Sequence, residues 1–460
     1  MGTKLARSRE KPEHRDVGLL GLELKISCVR EAVNMTKKAL CVVNAVGLTP
    51  ELARDISVSA KLGEVSPLEG VFPALTLPAQ ATMLTGLLPH EHGIVGNGWY
   101  HRETQEVRFW IQAAQIIQGQ NIVEEVEAAQ MFSWFAQGGS AKWSVIPKPH
   151  YGCDGSKAFG VMDGTGLDLE ERLGKFPFHR FWGPFSGFDS SRWIADATRH
   201  LLQEKRPPLS LVYLPHLDYD YQRNSPGGRG PLDELNGLLE SLREACEQAD
   251  VEMVVVSEYG LEPVERAIQP NRVLREHGWL KVRKGPFGEQ LLPWESGAFA
   301  VCDHQVAHIH VQRGVSVAEV RSSLLEMEGI EVCESAESLG LGHPRSGELV
   351  AISEAGAWFD YAFWEHDEVA PDYTRTIDIH RKPGYDPCEL NLYSKGRMAL
   401  RVAQKKLGAR VPMDIIDRDF SRIQGSHGRK VEGEKGPVFI GREGPQRMVD
   451  LKPWILDRLS

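Results

Sequence analysis

The pattern that most narrows the fold is a trio of short apolar runs: residues 39–46 (Ala-Leu-Cys-Val-Val-Asn-Ala-Val), 209–214 (Leu-Ser-Leu-Val-Tyr-Leu) and 251–257 (Val-Glu-Met-Val-Val-Val-Ser). Their shortness, their β-branched content and the polar residues that end them read as buried strands. Between the second and third, residues 231–246 carry apolar side chains at intervals of three and four, through Leu235, Leu239 and Leu242 to Cys246, which marks an amphipathic helix. Strand, helix and strand in that order make a right-handed crossover. The expected sheet is therefore mostly parallel, with reactive groups beyond the carboxyl ends of its strands. Residues 191–203 read as another helix leading into 209–214, so the order repeats.

Composition bounds the rest. The chain has 460 residues, 42% of them hydrophobic, which excludes disorder and fibres and suits either two or three domain-sized masses or one large α/β domain with insertions. A net charge of −10 argues against chain-wide attraction to nucleic acid or to an anionic membrane, and leaves only local basic patches open. No nucleic-acid partner is expected. The 7 cysteines (28, 41, 153, 246, 302, 333, 388) are odd in number and form no C-x-x-C pair, which speaks for buried thiols in a reduced, cytoplasmic setting. No apolar stretch reaches the roughly 18 residues of a transmembrane segment. Residues 17–22 are apolar but followed by Glu23 and Lys25, unlike a signal peptide.

Residues 1–34 are charged and unpatterned, and are expected to be a disordered extension or a mis-assigned start, with Met35 the natural initiator. Residues 35–262 form the first part of the α/β core. At 263 the pattern changes to an inserted, cap-like α+β subdomain through 356, with strands near 298–301, 308–311 and 329–333 and a helix near 317–326. Residues 357–430, rich at first in Trp, Tyr, Asp and Pro, return to the core and supply site loops. Residues 431–460 form a C-terminal tail. The aromatic cluster Trp358, Phe359, Tyr361, Phe363 and Trp364 reads as core packing.

The most informative stretch runs from Phe72-Pro-Ala-Leu-Thr-Leu-Pro to Leu87-Leu-Pro-His-Glu-His-Gly-Ile-Val-Gly-Asn97. Thr76 precedes Pro78 and a helical run, and spacing alone leaves two readings. Its hydroxyl is a helix N-cap, or it stands where free N–H groups and the helix dipole favour an anion such as phosphate. His90 and His92 read as solvated loop residues.

This segment resembles the nucleophile region of the type I phosphodiesterase/nucleotide pyrophosphatases, members of the alkaline phosphatase superfamily. The resemblance extends, in order, through Tyr213-Leu-Pro-His-Leu-Asp218, Ser257-Glu-Tyr-Gly260, Ile379-His-Arg-Lys-Pro-Gly-Tyr-Asp-Pro387 and Gly425-Ser-His-Gly428. It implies an alkaline-phosphatase-like α/β fold, a mostly parallel sheet sandwiched by helices with a small inserted α+β cap. It also implies a metal-dependent hydrolase of phosphate diester or pyrophosphate bonds acting on a small-molecule phosphate ester. Thr76 falls on the nucleophile that forms a phospho-enzyme, and Asn97 on the donor to the phosphoryl oxygen.

Of the family's seven metal-ligand positions, Thr76, Asp218 and His427 keep the expected residue. Gln222 stands for a histidine, Glu258 and Tyr259 stand for an aspartate and a histidine, and Val46 for an aspartate, with Asn44 the nearest polar residue. The resemblance implies one or two divalent ions of Zn, Mg or Mn; fewer imidazoles and carboxylates suit a harder cation such as Mg²⁺ or Mn²⁺, or a single metal, better than tight di-zinc binding. His216, two residues before Asp218, is a further candidate ligand if the strand pattern persists that far. His380 and Arg381 are candidates for the substrate anion, with bracing of their loop the alternative. The histidines between Asp303 and His308 read as fold-supporting. A sulfatase reading lacks its Cys or Ser and its Arg around Thr76-Leu-Pro-Ala-Gln80. The alternative function is a catalytically degenerate member that binds a phosphate ester or a protein partner without turnover.

Overall fold

In the computed structural model, which describes residues 39–153 and 157–460, the first apolar run is strand β1 (Leu40–Ala45). The extension and start expected at residues 1–35 lie outside the described residues. The side chains of β1 alternate between two cores: Cys41, Val43 and Ala45 enter one hydrophobic cluster, Leu40 and Val42 the other. A strand covered by helices on both faces has to be apolar on both.

The central sheet continues with β2 (Glu64–Pro67), β3 (Ala128–Met131), β4 (Trp143–Pro147), β5 (Val161–Asp163), β6 (Leu209–Leu214) and β7 (Glu252–Val256). Its eight strands run in the order β2, the C-terminal strand Val438–Gly441, β7, β1, β6, β3, β4, β5. The inner run from β7 to β4 is parallel, and the remaining pairings are antiparallel. This is the expected α/β architecture. Helix α1 (Thr76–Thr85) is buried at every residue. Helices α2 (Phe188–Lys205), α3 (His216–Arg223) and α4 (Arg229–Gln248) follow, and α4 buries Leu232, Leu235, Leu239, Leu242 and Cys246 in the same cluster as Cys41 and Val43.

Register decides where the polar residues emerge. Asn44 of β1 is aligned with Tyr213 of β6 and with Val256 of β7, so the segments that follow these strands leave the sheet side by side. Asp218, Glu258 and Tyr259 all lie in those segments.

The α+β pattern of the 263–356 region is a second, antiparallel sheet of β8 (Ala298–Asp303), β9 (Val306–Val311), β10 (Ile330–Ser335) and β11 (Leu349–Ser353), in the order β8, β9, β11, β10, with helix Val317–Leu325. It is tied to the start of α1 through Asn97, which caps that helix. At the end of β8, Asp303 accepts hydrogen bonds from the Asn97 backbone (2.7 Å) and side chain (3.1 Å). The aromatic cluster near 357–364 is core, as expected: Trp358, Phe359, Tyr361, Phe363 and Trp364 are all buried.

The loops of 378–390 are held by charge in a dry setting. Lys382, 1% exposed, bridges Asp386 at 2.8 Å and Glu389 at 2.7 Å, while Arg418 joins Asp360 (2.7 Å) to Asp386 (3.2 Å). Removing one member of such a set leaves uncompensated buried charge. Lys382→Met is therefore expected to cost about 3–5 kcal/mol of unfolding free energy, read as a lowered urea midpoint with little change in slope.

Candidate active site

Thr76 opens α1, and the N-cap position before it belongs to Leu75, which makes no side-chain capping bond. The capping alternative for Thr76 therefore does not hold. Its hydroxyl instead meets the Tyr259 phenol at 2.9 Å. The helix start is capped from elsewhere: the Asn97 side-chain oxygen accepts from Leu77 N at 3.0 Å. With its oxygen on Leu77, its amide nitrogen on Asp303 and no exposed surface, Asn97 braces the helix entrance and is not brought to the cleft. That corrects the role of phosphoryl donor implied by the motif.

Thr76 lies in the wall of a cleft of about 1750 Å³ whose inner end is also lined by Asp218, Tyr259, His304, Tyr385 and His427. Asp218 and Tyr259 come from the segments that follow parallel strands β6 and β7, the position where α/β sheets collect reactive groups. Asp218 sits in the first turn of α3, and Gln222, four residues on, lies on the same helix face and donates to Asp218 Oδ2 at 2.9 Å. The Gln222 oxygen is in turn occupied by the Tyr385 hydroxyl at 2.6 Å. His216 is on α3 as well. Because the chain is helical from His216 on, residues two apart point to opposite sides rather than one side. Its ring packs edge-on against Phe188, 5.9 Å between centroids, away from the cleft. The strand periodicity that made it a candidate ligand ends too early.

His427 donates from Nδ1 to the Ala74 carbonyl at 2.8 Å, which leaves the lone pair on Nε2. That nitrogen is 3.7 Å from Asp218 Oδ1, an oxygen with no hydrogen-bond partner. Burial holds the imidazole neutral by lowering its pKa to about 3. Its ring stacks on Tyr259, 3.7 Å between centroids and 9° between planes, and lies 3.7 Å from the His304 ring, which stacks in turn on Tyr385.

The second carboxyl is Glu258. Its Oε1 accepts from Asn44 Nδ2 (2.6 Å) and from Gln80 Nε2 (2.7 Å), and the Gln80 oxygen accepts from Trp134 N at 2.9 Å. Gln80 is four residues after Thr76, on the same face of α1. Burial drives the Glu258 pKa up to about 8 against the pull of the two amides, and burial likewise drives Asp218 to about 7. The Tyr259 phenol is pushed well above 10, again chiefly by burial, and keeps its proton.

These details test the metal positions. On the Thr76 side the donors would be Thr76, Glu258 and Tyr259. Both amide donors converge on Glu258 Oε1 and leave Oε2 without a partner, but burial favours the protonated carboxyl, Tyr259 stays protonated, and Val46 is fully buried in the apolar core. That set does not fit a cation. On the other side Asp218 Oδ1 and His427 Nε2 have free lone pairs facing each other, which fits one divalent ion completed by substrate or water. Gln222 is not free to join them. Among the described residues, no group of three or more His, Cys, Asp or Glu side chains is arranged to hold a metal ion.

His380 and Arg381 line the outer cleft. His380 Nδ1 bonds the Phe109 carbonyl at 3.2 Å and Arg381 pairs with Asp378 at 3.4 Å, so both brace the loop they belong to. His92, expected in solvent, is fully buried between Thr82 (3.0 Å) and Ile94 N (3.1 Å), while His90 is exposed. Sequence reasoning missed Gln80, Asp303 and Tyr385, and took His304 for a fold-supporting residue although it lines the inner cleft. Gln80 was legible from its helical spacing to Thr76.

The chain matches the model of the type I phosphodiesterase / nucleotide pyrophosphatase family over residues 40–386. Its fold is similar to that of phosphonoacetate hydrolase from Sinorhizobium meliloti 1021 in complex with phosphonoacetate, with a TM-score of 0.59, 15% identity, and coverage of 92% of this chain and 96% of that one. It is also similar to murine ectonucleotide pyrophosphatase / phosphodiesterase 5, solved as an inactive form in complex with AMP, with a TM-score of 0.55, 14% identity, and coverage of 92% and 95%. At these identities the likeness is one of fold.

The raised carboxyl pKa values bear on stability. An acid whose folded pKa lies above its unfolded value takes up protons on folding, so its contribution is most favourable at low pH and is lost as pH rises through the folded value. For Glu258 that window runs from its ordinary range to about 8. Glu258→Gln keeps an oxygen for Asn44 and Gln80 and removes the titration. Relative to the wild type its Tm is expected to be nearly equal near pH 5 and higher by a few degrees near pH 9. A difference independent of pH in calorimetric scans would contradict this.

Proposed function

The chain belongs to the type I phosphodiesterase/nucleotide pyrophosphatase family, and we propose that it is a phosphoryl hydrolase of small phosphate esters, with Thr76 as the nucleophile and one divalent cation held by Asp218 and His427. The family generally depends on divalent metals. The observation that carries this reading is the meeting of the Thr76 hydroxyl, Asp218 and His427 at the inner end of one cleft, at the start of a ten-residue helix.

The residues divide the work as follows. With Leu77 N capped and Pro78 lacking an N–H, the amide facing an anion at this helix start is that of Thr76 itself, aided by the helix dipole. Tyr259 keeps its proton and holds the Thr76 oxygen by a hydrogen bond, turning a lone pair toward the cleft. The Thr76 oxygen forms a bond to phosphorus as the ester oxygen leaves, and the threonine proton passes to the departing oxygen. A cation bound by Asp218 and His427 would draw charge from a phosphoryl oxygen. Gln222 and Tyr385 fix the Asp218 carboxyl in place. The hydrogen-bond partner of the Thr76 hydroxyl is the protonated Tyr259 phenol rather than a base, so turnover is expected to be slow.

A second reading, binding without turnover, is favoured by one observation: Gln222 engages both ends of its amide inside the protein, on Asp218 and Tyr385. One experiment separates the two. Purified protein is expected to hydrolyse a chromogenic phosphodiester when Mn²⁺ is supplied, and Thr76→Ala to abolish this with a Tm nearly unchanged. Equal turnover by Thr76→Ala would remove the nucleophile. Calorimetric binding of a phosphate ester with no hydrolysis by the wild type would establish the second reading. In Mn²⁺ titrations, Asp218→Ala and His427→Ala are each expected to weaken binding by at least about tenfold, and unaltered binding in both would put the cation elsewhere.

A further inference from the structure

Helix α5 (Lys395–Lys406) buries none of its residues, although its sequence is amphipathic. It packs through Arg397, Met398, Arg401 and Gln404, the two arginines pairing with Asp414. Apart from Met398, its apolar side chains point the other way. Leu400 is 56% exposed and Leu407, just past the helix, is 87% exposed, with Ala399, Val402 and Ala403 on the same outward face. A soluble helix normally turns such a stripe to the core.

Charge on this segment is equally one-sided. From residue 390 to 413 the chain has six basic residues and no acidic one, in a protein of net charge −10. Of the six, Lys395, Lys405, Lys406 and Arg410 make no ion pair among the described residues. An outward apolar stripe flanked by unpaired lysines suits the interface of an anionic lipid surface, where apolar side chains enter the acyl boundary and cations meet the headgroups. Nucleic acid would have no use for the leucines.

The helix also borders the cleft. Val402, Lys405 and Lys406 line its outer wall, together with the exposed side chains of Phe159 (55%), Phe287 (61%) and Trp294 (47%). Further in, half-buried Trp110 and Trp134 lie 5.3 Å apart, and Trp182 meets Tyr219 at 5.5 Å. Acidic groups reach the wall too: Asp378 is engaged by Arg381 and Glu106 by Arg108, while Asp372 makes no ion pair among the described residues. The path from rim to Thr76 is thus aromatic and apolar over most of its length.

We propose that α5 docks this protein on an anionic lipid surface, and that the cleft takes from it an amphiphilic phosphate ester whose apolar body lies along the tryptophans; the substrate half of this rests on the function proposed above, the docking half does not. The test is co-sedimentation of the full chain with vesicles of phosphatidylcholine alone or of equimolar phosphatidylcholine and phosphatidylglycerol. Binding is expected to the mixed vesicles only, and to weaken with added salt. The surface variants Leu400→Glu/Leu407→Glu and Lys395→Glu/Arg410→Glu, whose thermal unfolding should match the wild type, are each expected to bind at least about tenfold more weakly. Thr76→Ala should sediment like the wild type, so a failure of the hydrolase reading leaves this result standing. No sedimentation with mixed vesicles, or undiminished binding by both double variants, would overturn the proposal. A dimer in light scattering that Leu400→Glu/Leu407→Glu dissociates would assign the face to a second copy and overturn it as well.

Discussion

The hydrogen bonds from Asn44 and Gln80 to a single oxygen of Glu258 are the constraint around which the rest of the site is arranged. A carboxyl group taken out of water must be neutralised by a cation, a proton or donors. Here two amides and a raised pKa do so. This accounts for an asparagine near the end of an otherwise apolar strand and a glutamine inside a wholly buried helix. It also accounts for the backbone N–H of Trp134 and the hydroxyl of Ser133 turning toward the Gln80 oxygen. Strand β1, helix α1 and the segment after β3 are linked through the side chains of Glu258 and Gln80, and Thr76 stands on the same helix as Gln80.

Much of this fold could be read directly. The run at 209–214 is a strand with those bounds, those at 39–46 and 251–257 are strands shorter by one residue at each end, and the helix of 231–246 extends only to 229 and 248. Those elements bury whole faces, and burial writes itself into periodicity. Strand β3, Ala-Ala-Gln-Met, gives no such signal: it has small residues, one amide and four positions. Edge strands β2 and β5, partly exposed and polar, were equally silent. The contact of Asp303 with Asn97 spans 206 residues and joins the end of β8 to the residue that caps α1, and nothing local in either segment encodes it.

The site divides along the same line. Motif order led to Thr76, Asp218, Tyr259 and His427, which share the cleft, because each follows a strand end or opens a helix. It misjudged His216 because strand and helix periods give opposite answers two residues away from Asp218, and the switch from one to the other falls at Pro215. It misjudged Asn97 because an amide has two functional ends, and both are spent on the helix start and on the second sheet. Tyr385 lay in a quoted motif, yet its bond to Gln222 depends on a loop whose position is set by the buried Lys382 cluster.

Charge balance connects the lost ligands to what the cleft can still hold. Two ionised carboxylates beside Thr76 would repel a phosphate unless cations stood between them. With Asp218 near 7 and Glu258 near 8, both raised chiefly by burial, much of that negative charge is absent at neutral pH. Removing imidazoles and a carboxylate therefore does not leave an anion facing a wall of uncompensated charge, because protons and amides take over the neutralising role. A phosphate entering the site would itself raise these pKa values further, since it is a like charge at close range. Binding of an anion there and protonation of the two carboxyls would thereby be linked.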